Sequence, residues 1–175
     1  MTLTEYGSGV RYRSILVPID DSLHAQVALA HAAGLARRDG ARLTLIHAIA
    51  PRDPVCLPGH YVIPRQLPET EEKAEELLQE AAATVPADFS VSTVIRRGPP
   101  AWEILRRVEA AEHDLVVMGS RGRGPARALL LGSVSRVVGK RCPVPVITIH
   151  AKSSRRKGAA SRPAGERTTR PATTS

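Results

Sequence analysis

Five short aliphatic runs alternate with four longer segments of helical character, and this alternation constrains the fold more than any other feature of the chain. The runs are Ser14–Ile19 (SILVPI), Arg42–Ile49 (RLTLIHAI), Val91–Ile95, Leu115–Met118 and Val144–Ile149. Each reads as a strand buried on both faces. The first helical segment follows Ser22, a good N-cap, places Leu23, Val27, Ala30 and Gly34 on one side with Leu35 beside them, and closes at Gly40. The second spans 68–85 and opens with Pro68, Glu69, Glu71 and Glu72, acids that complement a helix N-terminus. Gly98 breaks the third strand, and Pro99 and Pro100 lead a helix from about Ala101 to Glu112. The fourth helix spans Ser133–Arg141, with Pro143 separating it from the last strand. Residues 50–67 hold four prolines and read as a loop. Strands and helices alternating at this spacing predict an α/β fold, a single doubly wound five-stranded parallel sheet with helices on both faces. Ligands of such folds bind beyond the C-terminal ends of the strands, where strand order reverses. If the first and fourth strands flank that point, Asp20 and Gly119 meet there.

The stretch MGSRGRGPARALLLGSVS, residues 118–135, follows the fourth strand directly. It spaces Gly119, Gly122 and Gly132 as G-x2-G-x9-G, with Ser133 immediately after. A strand opening into such a loop is how phosphate cradles are built: glycine admits positive φ and brings amides close to an anion without a Cβ in the way. Ser133 and Val134 begin a helix whose free amides attract phosphate, and Ser133 adds a hydroxyl there.

Composition enters where it separates domain from tail. The formal net charge is +8, but residues 151–175 carry seven Lys/Arg and one acid, leaving the first 150 residues near neutrality at +2. The tail has no large apolar residue and is expected to be disordered. It reads either as a solubilising tail or as a weak, salt-sensitive contact for a polyanion. It has no aromatic residue on which bases could stack. The predicted organisation is a lead over 1–11, a domain over 12–150 and the basic tail over 151–175. With 3% aromatics the core must be aliphatic. Cys56 and Cys142 make neither a disulfide framework nor a metal cluster. No stretch approaches the length of an apolar membrane span, and the start has no apolar signal core. The expectation is a cytoplasmic protein.

ILVPIDDS at 15–22, LIHA at 45–48, DLVVMGSRGRG at 114–124, LLGSVSRVV at 130–138 and CPVPVITI at 142–149 together resemble the universal stress protein family (UspA-like). The resemblance covers about residues 12–150. It implies a Rossmann-like sheet of order 3-2-1-4-5 and, because the chain carries the full G-x2-G-x9-G-[S/T] pattern, the ATP-binding subgroup, with ATP carried by Mg2+. By resemblance, Gly119, Gly122, Gly132 and Ser133 contact the phosphates and ribose, with Val134 and Ser135 continuing that contact. Asp20 accepts hydrogen bonds from the nucleotide, Ile19 and Ala48 line the adenine pocket partly through their backbone, and Met118 packs near the base or sugar. Arg121, Arg123 or Arg127 could add charge-assisted contacts to a triphosphate or be solvated loop charges. The resemblance also implies a homodimer in which Val144–Ile149 pairs antiparallel with its copy. An apolar edge strand is a pairing liability unless covered, and Pro145, lacking an N–H, suits an edge.

Each residue also has a plainer reading. Asp20 and Ser22 could cap the first helix, the glycines could serve a tight turn, and Gly132-Ser133 could be a helix start. His47 reads as a hydrogen-bonded structural histidine, Trp102 as packing, and the acidic run Glu69–Glu80 as a solvated face. No catalytic constellation assembles near the loop, where Ser120, Ser133, Ser135, arginines and Asp20 are the available groups. The chain lacks the G-x4-G-K-[S/T] pattern of P-loop NTPases, the SGGxDS-like loop of pyrophosphatase-type ATP enzymes and the HxGH of nucleotidyl transferases. Nucleotide binding is therefore favoured over turnover. The alternatives are a slow ATPase or nucleotidyl-transfer enzyme, and a non-nucleotide interaction protein acting through its dimer surface or tail.

Overall fold

A computed structural model describes residues 10–50, 70–122 and 131–151. Most of the lead, the proline-rich loop with Cys56, the loop centre with Arg123 and Arg127, and the basic tail from Lys152 lie outside the described residues. The elements run β1 (Ser14–Pro18), α1 (Leu23–Asp39), β2 (Arg42–Ile49), α2 (Glu71–Ala83), β3 (Val91–Arg97), α3 (Pro100–Ala110), β4 (Leu115–Gly119), α4 (Ser133–Arg141) and β5 (Val146–Ile149). All strand pairs are parallel, in the order β3-β2-β1-β4-β5. This is the doubly wound architecture expected from the sequence.

Alternation along the central strands feeds two cores. Ile15 and Val17 of β1 join Leu45, Leu115 and Val117 under α1 and α2. Leu16 faces the other way, with Ile46, Val116 and Met118, under Ile104, Val108 and Val138 of α3 and α4. The buried side of α1 is mostly alanine (Ala25, Ala28, Ala32 and Ala36, with Leu29), which lets the helix lie close to the sheet. Ser22 caps α1, its hydroxyl accepting from the Ala25 amide at 3.2 Å, and Gly40 closes it in the left-handed region at φ 70°.

Several boundaries move for identifiable reasons. The cap of α2 is Thr70, whose hydroxyl accepts from the Lys73 amide at 3.4 Å, so the described helix starts after the proline and first acid assigned to it. β1 ends at Pro18, although the Ile19 amide still donates to the Ile46 carbonyl at 2.8 Å. β5 begins at Val146 rather than Val144, because Pro145 has no N–H to give the ladder; its carbonyl still accepts from Val116 at 3.0 Å. β5 is an edge of the sheet, with Val146 packed on one core and Ile147 and Ile149 on the other. Among the described residues, no helix is long and apolar enough to cross a membrane.

Candidate functional site

Strand order reverses between β1 and β4, and the chain leaves both strands at the same end of the sheet. A cleft of about 280 Å³ opens there. Ile19, Asp20, Ala48, Met118, Gly119, Gly122, Gly132, Ser133, Val134 and Ser135 all line it. So do Pro18, Ala25, Ile46, His47, Pro100, Ile104 and Arg121. Its volume is close to the lower bound for small-molecule sites, about 300 Å³.

The glycines act here through room rather than handedness. None of Gly119, Gly122 and Gly132 has positive φ; among the described glycines, only Gly40 and Gly98 do. The expectation of a left-handed loop backbone is therefore corrected at these three positions. A Cβ on Gly119 would sit 2.8 Å from the backbone carbonyl carbon of His24, because β4 ends directly against the first turn of α1. A Cβ on Gly122 would sit 2.5 Å from Oδ2 of Asp20. The glycines let the β4 exit press against both α1 and the β1 exit.

Ser120 ties the two arms of the glycine pattern together. It is wholly buried. Its carbonyl accepts from the Gly132 amide at 2.7 Å and from the Ser135 hydroxyl at 2.9 Å, and its amide donates to Ile149 at 2.8 Å. The two arms thus meet at one carbonyl. The Ser120 hydroxyl pairs with Nδ1 of His150, outside the cleft lining, so this serine–histidine pair is not presented to a ligand.

The start of α4 supplies donors. Arg136 is the first α4 amide with an intrahelical acceptor, the Gly132 carbonyl at 3.1 Å. The amides of Ser133, Val134 and Ser135 are the open donors of a helix N-terminus. The Ser135 side chain is spent on the Ser120 and Gly132 carbonyls, so what it offers a ligand is its amide. Arg121 also lines the cleft, with its buried Nε lacking a partner among the described residues.

The β1 side supplies acceptors and an apolar wall. Oδ1 of Asp20 accepts from the amide and hydroxyl of Ser22, while Oδ2 is directed toward Gly122. Asp20 therefore organises the α1 cap and keeps one oxygen on the cleft side. The Ile19 amide is used by Ile46, and its carbonyl accepts from Nδ1 of His47 at 2.7 Å, which fixes the proton of that buried imidazole on Nδ1. His47 is thus the hydrogen-bonded histidine that its place in an apolar strand predicts. For a ligand, Ile19 retains its side chain and a second carbonyl lone pair. Pro100 and Ile104, from the start of α3, close the wall. No local signal marks them in the sequence; only the crossover from β3 brings them over the sheet.

The described residues include no group of three or more His, Cys, Asp or Glu able to hold a metal ion, and Asp20 is the one carboxylate in the described lining. Mg2+ is commonly held by one or two carboxylates, substrate phosphates and water, which this donor set fits.

Comparison with known proteins matches residues 11–150 to the family model described as the universal stress protein family. A universal stress protein of Thermus aquaticus is 35% identical over 140 residues, covering 79% of this chain and 98% of the relative. The chain spans 43–45% of the length of mycobacterial relatives that it also matches. The solved UspA of Lactobacillus plantarum superposes with a TM-score of 0.58 at 29% identity, covering 81% of this chain and all of that one. A universal stress protein of Archaeoglobus fulgidus, solved in complex with dAMP, shares the fold at TM-score 0.58 and 23% identity, over 81% of this chain and all of that one.

Proposed function

The chain belongs to the universal stress protein family, and on that premise we propose that it binds an adenine nucleotide, ATP with Mg2+, in the cleft between β1 and β4. The observation that carries this reading is the convergence on one cleft of the first turn of α4 (Ser133, Val134 and Ser135), Arg121 and Asp20. Phosphate oxygens satisfy a helix N-terminus, and a guanidinium adds a charge-assisted bond. Oδ2 of Asp20 is an acceptor for a ribose hydroxyl or a ligand to Mg2+. Ile19, Ala48 and Met118, backed by Ile46, Pro100 and Ile104, form the apolar wall for the base. The dAMP complex of the Archaeoglobus relative is consistent with this class of ligand.

Binding at about one hundred times Kd stabilises the folded state by about 2.7 kcal/mol. Occupancy thereby reports nucleotide level as stability and as order around the cleft. The role we assign is a nucleotide-responsive stress or signalling module, acting as a homodimer through β5. Calorimetric titration of Gly132→Val with Mg-ATP tests the site. Its side chain would stand beside the open amides of α4, and a Cβ at this position lies 3.3 Å from the Ser120 carbonyl. The reading predicts at least a tenfold rise in Kd in a variant that still folds. Unchanged affinity overturns it.

A further inference from the structure

The single tryptophan of a chain with only 3% aromatics is not in the core. Trp102, in the first turn of α3, is 50% exposed. It lies in a surface groove with Arg136, Val137, Lys140 and Arg141 of α4, and the Arg141 guanidinium stands 4.9 Å from its ring centroid. The described lining contains no carboxylate. Glu103, adjacent in sequence, is buried and paired with Arg106 instead. Lys140 and Arg141 suit the C-terminal end of a helix and would be there for that reason alone. That reason does not extend to Arg136, in the first half of α4, or to a half-exposed tryptophan.

We propose that this groove is a docking surface for an acidic segment of a partner protein. Tryptophan and arginine are among the side chains that most often anchor protein interfaces, and three cations with no carboxylate in the described lining select an acidic partner. A nucleic acid is the weaker match, because one aromatic offers no succession of stacking platforms. A second copy of this chain could present the exposed Glu72, Glu75, Glu76 and Glu80 of α2. However, α2 lies on the opposite face of the sheet from α4, so that contact would be head-to-tail, building a ring or a filament rather than a two-fold dimer. The groove is built on the two helices that also wall the cleft: Pro100 and Ile104 flank Trp102 on α3, and Ser133 to Ser135 precede Arg136 on α4. A partner seated there would contact both helices. The groove itself does not depend on what the cleft binds.

Trp102 is its own reporter. The test is a titration of the full chain with a ten-residue oligoglutamate peptide, read by tryptophan emission and repeated at rising salt. The tail's cations attract any polyanion, so the decisive comparison is with Arg136→Glu/Lys140→Glu in the same full chain. We expect a saturable change in emission that weakens with salt and at least tenfold weaker binding in the variant. Should that variant not fold, Arg136→Ala/Lys140→Ala should bind at least threefold more weakly. An unchanged emission, or equal affinity in a folded variant, overturns the proposal. Tighter binding of a ten-nucleotide single strand of thymidylate than of oligoglutamate overturns it in favour of nucleic acid. Sedimentation showing self-association that Glu75→Lys/Glu76→Lys abolishes overturns it in favour of a second copy.

Discussion

The two ends of the sheet treat their backbone amides in opposite ways. At the amino ends of the strands, carboxylates take them up. Asp114 accepts from the amides of Arg13 at 2.7 Å and Ser14 at 3.0 Å, fastening the start of β1 to β4. Asp39 accepts from the Tyr12 amide at 3.1 Å, and Arg38 and that amide together hold its carboxyl down at about 2. At the carboxyl ends, one carbonyl, that of Ser120, ties Gly132 and Ser135 to the end of β4, while the first turn of α4 and Arg121 border a cleft. The first end spends its polar groups on holding the chain together. The second keeps donors in reserve, as a ligand-binding end must.

Substitutions can break this contrast, and the largest effect should come where the binding end meets the core. Gly119→Val would drive its side chain into the backbone of α1, so we expect a loss of roughly 3 kcal/mol or more, read as a melting temperature about 10 °C lower. At the other end, Asp114→Ala leaves two amides without their carboxylate. It should cost about 2 kcal/mol in urea denaturation and leave Mg-ATP affinity unchanged. A loss of affinity in Asp114→Ala would show that the two ends are coupled. Arg121→Ala removes a donor with a buried, unpaired Nε. We expect nucleotide affinity to fall roughly fivefold to tenfold in calorimetry, with no loss of stability in the free protein.

A further expected effect is a pH dependence confined to the amino end. His113 is buried against Ser14, and burial, reinforced by Arg107 and Arg42, lowers its pKa to about 4. The unfolded chain protonates this histidine near 6.5 and the folded one only near 4. Stability should therefore fall as pH drops from 6.5 to 4, and His113→Gln should flatten that slope. Asp39 is displaced in the same direction, by hydrogen bonds from Arg38 and the Tyr12 amide rather than by burial. Its contribution is fully present above about 3.8 and disappears as pH falls toward 2. Denaturation midpoints across this range should show two separate declines, and a single decline near neutral pH in both wild type and His113→Gln would contradict the assignment.

The alternation of periods made the fold legible, and β2 and α4 occur at the residues their patterns predict. All ten residues proposed for the site reach one cleft, because the pattern that names them is tied to strand ends and those ends converge. Strand order came from family resemblance rather than from spacing. Long-range partners were not legible. Nothing local to Pro100 or Ile104 says that α3 will lie over the cleft, and nothing about Ser120 says that its carbonyl will receive two donors from the far arm of the loop. The conformational role of the glycines was also misread, since sequence cannot distinguish a glycine needed for positive φ from one needed for close approach. Gly119 and Gly122 are of the second kind.

The central claim is that the open donors at the carboxyl end hold a nucleotide. The most direct measurement is to denature freshly purified protein and identify the released small molecules by mass spectrometry. The account predicts an adenine nucleotide at close to one equivalent per chain, ATP or its product ADP, and its absence from Gly132→Val prepared in parallel. Protein that releases no nucleotide and shows no thermal shift with Mg-ATP would contradict it.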